Sequence, residues 1–130
     1  MTVLADTSVW VQYLRRGRGG PAARLDDLLV QGEVVVCGPV VAELVAGTPA
    51  DRRAELTGLL NALPWADLGR SHWATVAEVA ARLREQGTST ALTDIEIAIA
   101  AVQVHAELWT RDSDFRRIAK VLDSLSLFAP

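Results

Sequence analysis

Five carboxylates in four separate stretches of the chain share one kind of setting. Asp6 follows the apolar run Val3 to Ala5, and Glu43 lies a few residues beyond the β-branched run Val34 to Cys37. Asp94 opens the stretch DIEIAIAAVQV, and Asp112 with Asp114 follows the run AELWT. If these acids converge, two ionised carboxylates ~5 Å apart repel by roughly 3 kcal/mol at an effective dielectric of about 20. Several such pairs would exceed much of the ~5 to 15 kcal/mol that stabilises a small domain, so protonation or a cation must relieve them. A cluster of carboxylates without nearby His or Cys suits Mg²⁺, or Mn²⁺, better than Zn²⁺. His72 and His105 stand alone, without metal-ligand spacing.

Convergence depends on the elements that carry the acids. Val3 to Ala5 and Val34 to Cys37 are short runs of the kind found in buried strands. Ala106 to Thr110, Leu125 to Phe128 and the region around Leu63 to Leu68 are weaker strand candidates, the last with Pro64 at its start or on an edge. Helical spacing is clear in three places: Leu56, Leu59, Leu60, Leu63; Val76, Val79, Ala80, Leu83; and Phe115, Ile118, Ala119, Leu122. From Ile95 to Val104 only Glu96 and Gln103 are polar, so this helix should be buried almost all round, with Thr93 and Glu96 as its capping box. Strands alternating with helices, and no hairpin signal, predict an α/β fold with a parallel sheet between helices. In such folds sites form at the carboxyl ends of strands, where these acids fall.

Each acid also has a bland explanation. Asp6, Thr7 or Ser8 can cap a helix beginning near Val9, and Asp112 can cap the helix carrying Phe115 and Ile118. Asp94 is harder to dismiss, because Thr93 already serves as a cap and an acid in the first turn gains only ~0.3 to 1 kcal/mol from the helix dipole. Glu96 is explained by the capping box. There is no G-x-G-x-x-G or G-x-x-x-x-G-K-[ST] phosphate loop and no G-x-S-x-G elbow. Gly17, Gly19 and Gly20 in RRGRGG end the first helix and form a loop.

The 130 residues, half of them hydrophobic and 22% charged, suit a single domain over residues 1–130 with one packed core. No apolar run approaches the ~20 residues that span a bilayer, and an acid stands where a signal peptide would be basic, so a cytoplasmic chain is expected. The lone Cys37 can form no internal disulfide and should pack as a small apolar residue.

Taken in order, ADTSVW after a first strand, the acid in VVAELVAG, TDIEIAIAA opening a buried helix, and TRDSDF before an amphipathic helix resemble a PIN domain. The resemblance runs the length of the chain, and more narrowly it is to the VapC toxins of bacterial toxin-antitoxin modules. It implies a three-layer α/β/α sandwich around a mostly parallel sheet of about five strands. It also implies an Mg²⁺-dependent endoribonuclease that leaves a 5′-phosphate and a 3′-hydroxyl. A cognate VapB-like antitoxin would restrain it, with the toxin a homodimer inside the complex. The family's four acids match Asp6, Glu43, Asp94 and Asp112, with Asp6, Asp94 and Asp112 as metal ligands. Ser8 and Thr110 match its supporting hydroxyl residues, and Asp114 an acid whose role varies. Many relatives have a shorter D-x-x-I-A-A spacing; here Ile99 is inserted before the Ala-Ala pair. The rival expectations are a catalytically silent PIN-like binding module, or a housekeeping PIN nuclease without an antitoxin.

The formal charge of -3 argues against a protein that coats nucleic acid through a uniformly basic surface. Setting the five candidate acids aside, however, leaves eleven acids against thirteen bases. Arg15, Arg16 and Arg18, and Arg111, Arg116 and Arg117 around the last motif, are candidates for phosphate contacts, or else solvated charge or antitoxin contacts. Trp10, Tyr13, Trp65 and Trp73 can belong to the core or line a groove for an antitoxin helix.

Overall fold

The computed structural model describes all residues from Met1 to Pro130. Its centre is the strand β1, Val3–Ala5, whose three side chains are fully buried. A strand buried on both faces must be apolar throughout, and the run VLA meets that demand. On one side lies β2, Val34–Val35, and on the other β3, Glu107–Trp109, both parallel to β1. Val3 pairs with Val34 and with Glu107, and Ala5 with Trp109.

The expected sheet of about five strands is therefore three strands. The two missing strands are single bridges at its edges, Val36 with Trp65 and Leu108 with Leu127. Each is held by two backbone hydrogen bonds around one residue: Val36 donates to Pro64 and accepts from Ala66, and Leu108 donates to Ser126 and accepts from Phe128. Pro64 has no N–H to extend the first ladder. On the other edge the buried residues, Leu125 and Phe128, are three apart rather than two, which does not fit the strand period.

Seven α-helices connect the strands. After β1 come α1, Thr7–Arg16, and α2, Arg24–Val30; after β2 come α3, Gly38–Ala46, α4, Arg53–Asn61, α5, Arg70–Glu85, and α6, Leu92–Gln103; after β3 comes α7, Phe115–Val121. The chain thus moves from the centre to one edge and then crosses to the other side of β1. The crevice between the carboxyl ends of β1 and β3 is the switch point of this topology.

One cluster of 36 buried hydrophobic residues forms the core. It includes Cys37, whose thiol burial pushes up to about 11, far from the reactive thiolate range. Six residues of α6 are buried, Ile95, Ile97, Ala98, Ile99, Ala100 and Ala101, as its apolar sequence predicts. Its capping box does not form. The helix begins at Leu92 with Ala91 as N-cap and no side-chain cap, so Thr93 is already inside the helix and cannot cap it. No helix of the chain is long and apolar enough to cross a membrane.

Candidate functional site

Asp6 leaves the carboxyl end of the central strand, and its N–H donates to the carbonyl of Trp109 on β3. It is the one buried polar or charged residue, at 4% exposure. Its side chain caps α1 by accepting from the Val9 N–H at 3.2 Å, so the capping reading holds. It does more than cap. Oδ1 also accepts from the Ser8 hydroxyl at 2.6 Å, and Oδ2 accepts from the Thr110 hydroxyl. Burial pushes the Asp6 carboxyl above the usual range, while the hydrogen bonds from Ser8, Thr110 and Val9 pull it back.

The two hydroxyls also fix the loop after β3. Ser8 Oγ accepts from the Arg111 N–H at 3.1 Å, and Thr110 Oγ1 accepts from the Asp112 N–H at 2.9 Å. Thr110 therefore ties Asp112 to Asp6 through one side chain. Asp112 Oδ1 in turn accepts from the Asp114 N–H at 2.9 Å, a local turn that precedes α7. Asp114 stands at the N-cap of α7 without a capping hydrogen bond. Its carboxylate lies 3.9 Å from the Arg117 guanidinium, one turn along the surface.

Glu43, exposed on α3, accepts from the Thr7 hydroxyl at 2.9 Å across 36 residues of sequence. Thr7 was a capping candidate in the sequence; in the fold it orients an acid instead. Asp94 is the third residue of α6 and half-buried. Its carboxyl is pushed up to about 6, first by burial, then by the charges of Asp112, Glu43, Asp6 and Asp114. Four carboxylates from three other segments thus act on Asp94 at the carboxyl edge of the sheet.

Among the ion pairs of the chain, none includes Asp6, Glu43, Asp94 or Asp112. Repulsion among them has no internal relief. Glu96, which the sequence assigns to a capping box, is half-buried on α6, and its charge, with those of Glu43 and Asp6, raises the Cys37 thiol. It is a further acid beside the cluster; its only sequence signal is its place two residues after Asp94.

The basic candidates divide. Arg18 is held by α2, with its guanidinium 2.8 Å from Asp26 and 3.8 Å from Asp27. Arg15, Arg16, Arg111 and Arg116 are exposed and make no ion pair, and Arg117 reaches Asp114. The histidines stand apart: His72 Nδ1 accepts from the Gly69 N–H at the start of α5, and His105 is an exposed residue just past α6. Trp10 is core and Tyr13 donates to Asp26 at 2.7 Å, whereas Trp65 and Trp73 are exposed.

All the ligand candidates are hard oxygen donors without a competing cation, and that chemistry fits Mg²⁺ or Mn²⁺. As the side chains stand, no three His, Cys, Asp or Glu residues form a ready-made metal-binding group. Asp6 is held by its three donors and Glu43 by the Thr7 hydroxyl, whereas the Asp94 carboxylate has neither a hydrogen bond nor an ion pair to fix it.

This fold has known counterparts. The PIN domain profile matches residues 3–121, and the chain belongs to the PIN domain family. Ribonuclease VapC11 of Mycobacterium tuberculosis is 29% identical over 124 residues, covering 92% of each chain, and VapC ribonuclease Mb1587 of Mycobacterium bovis matches to the same extent. Among solved structures, DNA-bound VapBC from Salmonella typhimurium superposes with a TM-score of 0.78 at 17% identity, covering 98% of this chain and 97% of that one. VapBC2 from Rickettsia felis, bound to a DNA fragment from their promoter, gives 0.76 at 20% identity and 98% coverage of both chains. At these identities the structural likeness speaks for the fold.

Proposed function

We propose that the chain is a metal-dependent endoribonuclease, the toxin of a toxin-antitoxin pair, that hydrolyses RNA phosphodiester bonds in the cytoplasm. The observation that carries this reading is a cluster of five carboxylates, four of them without an ion pair, centred on an Asp94 carboxyl raised to about 6. Family membership and the names of the VapC relatives support the nuclease class.

Asp6, Asp94 and Asp112 would hold Mg²⁺, or Mn²⁺, with Glu43 completing the site directly or through water. Bound there, the cation supplies Lewis acidity, which makes water a nucleophile near neutral pH and offsets charge on the scissile phosphate. The chain's own groups do the positioning. Ser8 and Thr110 fix both oxygens of Asp6, Thr110 sets Asp112 through its backbone, and Thr7 holds Glu43. A cation held there would favour the ionised form of Asp94 and offset the repulsion from its neighbours. Arg15, Arg16, Arg111 and Arg116 are available to RNA phosphates, whereas Arg117 would first have to leave Asp114 and Arg18 Asp26.

A groove of about 640 Å³ supports the antitoxin part of the reading. It runs between α1, α3 and α4, with Val11, Leu14, Leu44, Leu56 and Leu59 on its walls and Glu43 at its edge. Leu59, in phase with the buried stripe of α4, is 62% exposed there. Arg15, Arg52 and Glu55 also line the groove, so it carries both signs of charge, and an amphipathic antitoxin segment matches its apolar walls. The toxin would act as a homodimer within that complex.

The test is incubation of purified protein with structured RNA in Mg²⁺, in EDTA, and in Mg²⁺ with Asp6→Asn. Cleavage by the wild type in Mg²⁺ alone is expected. RNA left intact in all three would replace the nuclease reading with that of a silent binding module. Co-purification of the product of an adjacent short reading frame tests the antitoxin; its absence, with cleavage retained, would mark a nuclease without one.

A further inference from the structure

A second cavity, of about 310 Å³, lies between the last turn of α5 and the first residue of α6. Its lining is unlike that of the groove at Glu43. Leu83 and Leu92 supply apolar surface, Thr88, Ser89 and Thr90 supply three hydroxyls, and Arg84 supplies the charge; no carboxylate lines it. Arg84 forms no ion pair, and none of the three hydroxyls hydrogen-bonds to the protein. The backbone N–H groups of Ser89, Thr90 and Ala91 are likewise free of protein acceptors.

The lining is held in place. Gly87, at φ +76°, closes α5 with its N–H on the Arg84 carbonyl at 3.0 Å, and the Thr88 N–H bonds the Leu83 carbonyl at 2.9 Å. This paired closure fixes Thr88 relative to Arg84. Leu92 precedes Asp94 by two residues on α6, about 3 Å along the helix axis. Two residues are also about 200° of helical turn, so Leu92 and Asp94 lie on opposite sides of the first turn of α6, with the cavity on one side and the acid cluster on the other. Leu92 itself is 59% exposed although it begins the helix with the most buried residues.

We infer that this cavity seats one nucleotide of a single-stranded RNA that passes around the N-terminus of α6 from the phosphate presented to the acids. In this arrangement Arg84 holds the nucleotide's phosphate, Thr88, Ser89 and Thr90 hydrogen-bond its phosphate and ribose hydroxyls, and Leu83 and Leu92 pack against the base. The volume, at the low end of the ~300 to 1,000 Å³ range of ligand pockets, fits a single nucleotide and not a duplex. Splayed single-stranded bases are what sequence-reading RNA sites hold, and a 2′-hydroxyl needs such polar partners. Three hydroxyls and a guanidinium without an acid suit a phosphodiester; they would leave a basic peptide without a partner. The inference rests on the nuclease reading for its substrate class.

Binding of a short single-stranded RNA, followed by fluorescence anisotropy in EDTA, tests it apart from cleavage. Arg84→Gln should weaken binding about tenfold and lower the slope of log affinity against log salt by about 0.7, the value for one phosphate contact on a single strand. Arg84→Lys should keep the slope, and Thr90→Val should weaken binding a few-fold with the slope unchanged. Arg70→Gln, at the other end of α5, should bind as the wild type does. Wild-type affinity in Arg84→Gln, an equal loss in Arg70→Gln, or no binding by the wild type would overturn the site. If the wild type cleaves in Mg²⁺ while Arg84→Gln binds and cleaves normally, this site falls and the nuclease reading stands. If binding depends on Arg84 but no RNA is cut, the reverse holds.

Discussion

The carboxyl end of β1 and the first turn of α6 each place an aspartate in the same cluster, and they treat it in opposite ways. Asp6 is buried and receives three hydrogen bonds, from Ser8, Val9 and Thr110, which offset the cost of burial. Asp94 is half-buried with neither a capping partner nor an ion pair, and burial, followed by the charges of four other acids, raises it to about 6. One end of the site is fixed by its hydrogen bonds, the other strained by its charges. A site that must bind and release a cation benefits from both: a rigid carboxylate that sets position, and a frustrated one whose relief contributes to binding.

The strongest way to break this contrast is to neutralise each acid. Asp6→Asn and Asp94→Asn should each reduce RNA cleavage in Mg²⁺ by at least about 100-fold, the scale seen when a group stabilising transition-state charge is lost. A variant that retains cleavage within a few-fold would remove that residue from the site. Expression should follow: loss of growth arrest in Asp94→Asn, measured as colony formation.

A smaller effect separates the two ends. Thr110→Val deletes the hydroxyl that donates to Asp6 and accepts from Asp112, leaving a buried carboxylate oxygen short of a donor. Thermal unfolding should show a loss of about 1 to 2 kcal/mol, and cleavage should fall about tenfold as Asp6 and Asp112 lose their common anchor. Unchanged stability would mean that Asp6 is not held as described.

At Asp94 the sign reverses. The folded chain binds the Asp94 proton more tightly than the unfolded chain does, so the stability it confers is present at low pH and is lost as pH rises from about 4 through about 6. A rise to about 6 corresponds to roughly 3 kcal/mol for a fully desolvated group, and solvent screening of this half-exposed side chain reduces it to about 1 kcal/mol. Asp94→Asn should therefore stabilise the metal-free protein by about 1 kcal/mol at pH 7.5 and flatten its stability between pH 4 and 6. Destabilisation by this variant would show that the acid is not frustrated. The smallest change is expected from Thr7→Val, which frees the exposed Glu43 and should slow cleavage about two- to threefold by an effect on kcat.

Much of this contrast is visible in the sequence, because acids after apolar runs in an alternating α/β pattern must meet at one sheet edge. The buried stripes of α5 and α7 follow their periodicity closely and α6 is buried as its apolar run predicts, whereas Leu59 in the stripe of α4 is exposed. What the sequence leaves hidden is set by distance or by a shift of one residue. The bond from Thr110 to Asp6 spans 104 residues and that from Thr7 to Glu43 spans 36, so no local pattern announces either. The T-x-x-E box at Thr93 fails because α6 starts at Leu92, a boundary no single-residue signal marks. Arg18 reads as a free cation until α2 brings Asp26 beside it. The two edge strands shrink to bridges because Pro64 and the three-residue spacing of Leu125 and Phe128 limit their ladders.

The central claim, that repulsion at Asp94 is held in readiness for a cation, is tested most directly by thermal unfolding at pH 7.5 with increasing Mg²⁺. At about 100 times the dissociation constant, Mg²⁺ should stabilise the wild type by about 2.7 kcal/mol, a rise in Tm of several degrees. In Asp94→Asn the Tm should start higher and barely respond to Mg²⁺. Equal responses of the two proteins, or none in either, would contradict the account.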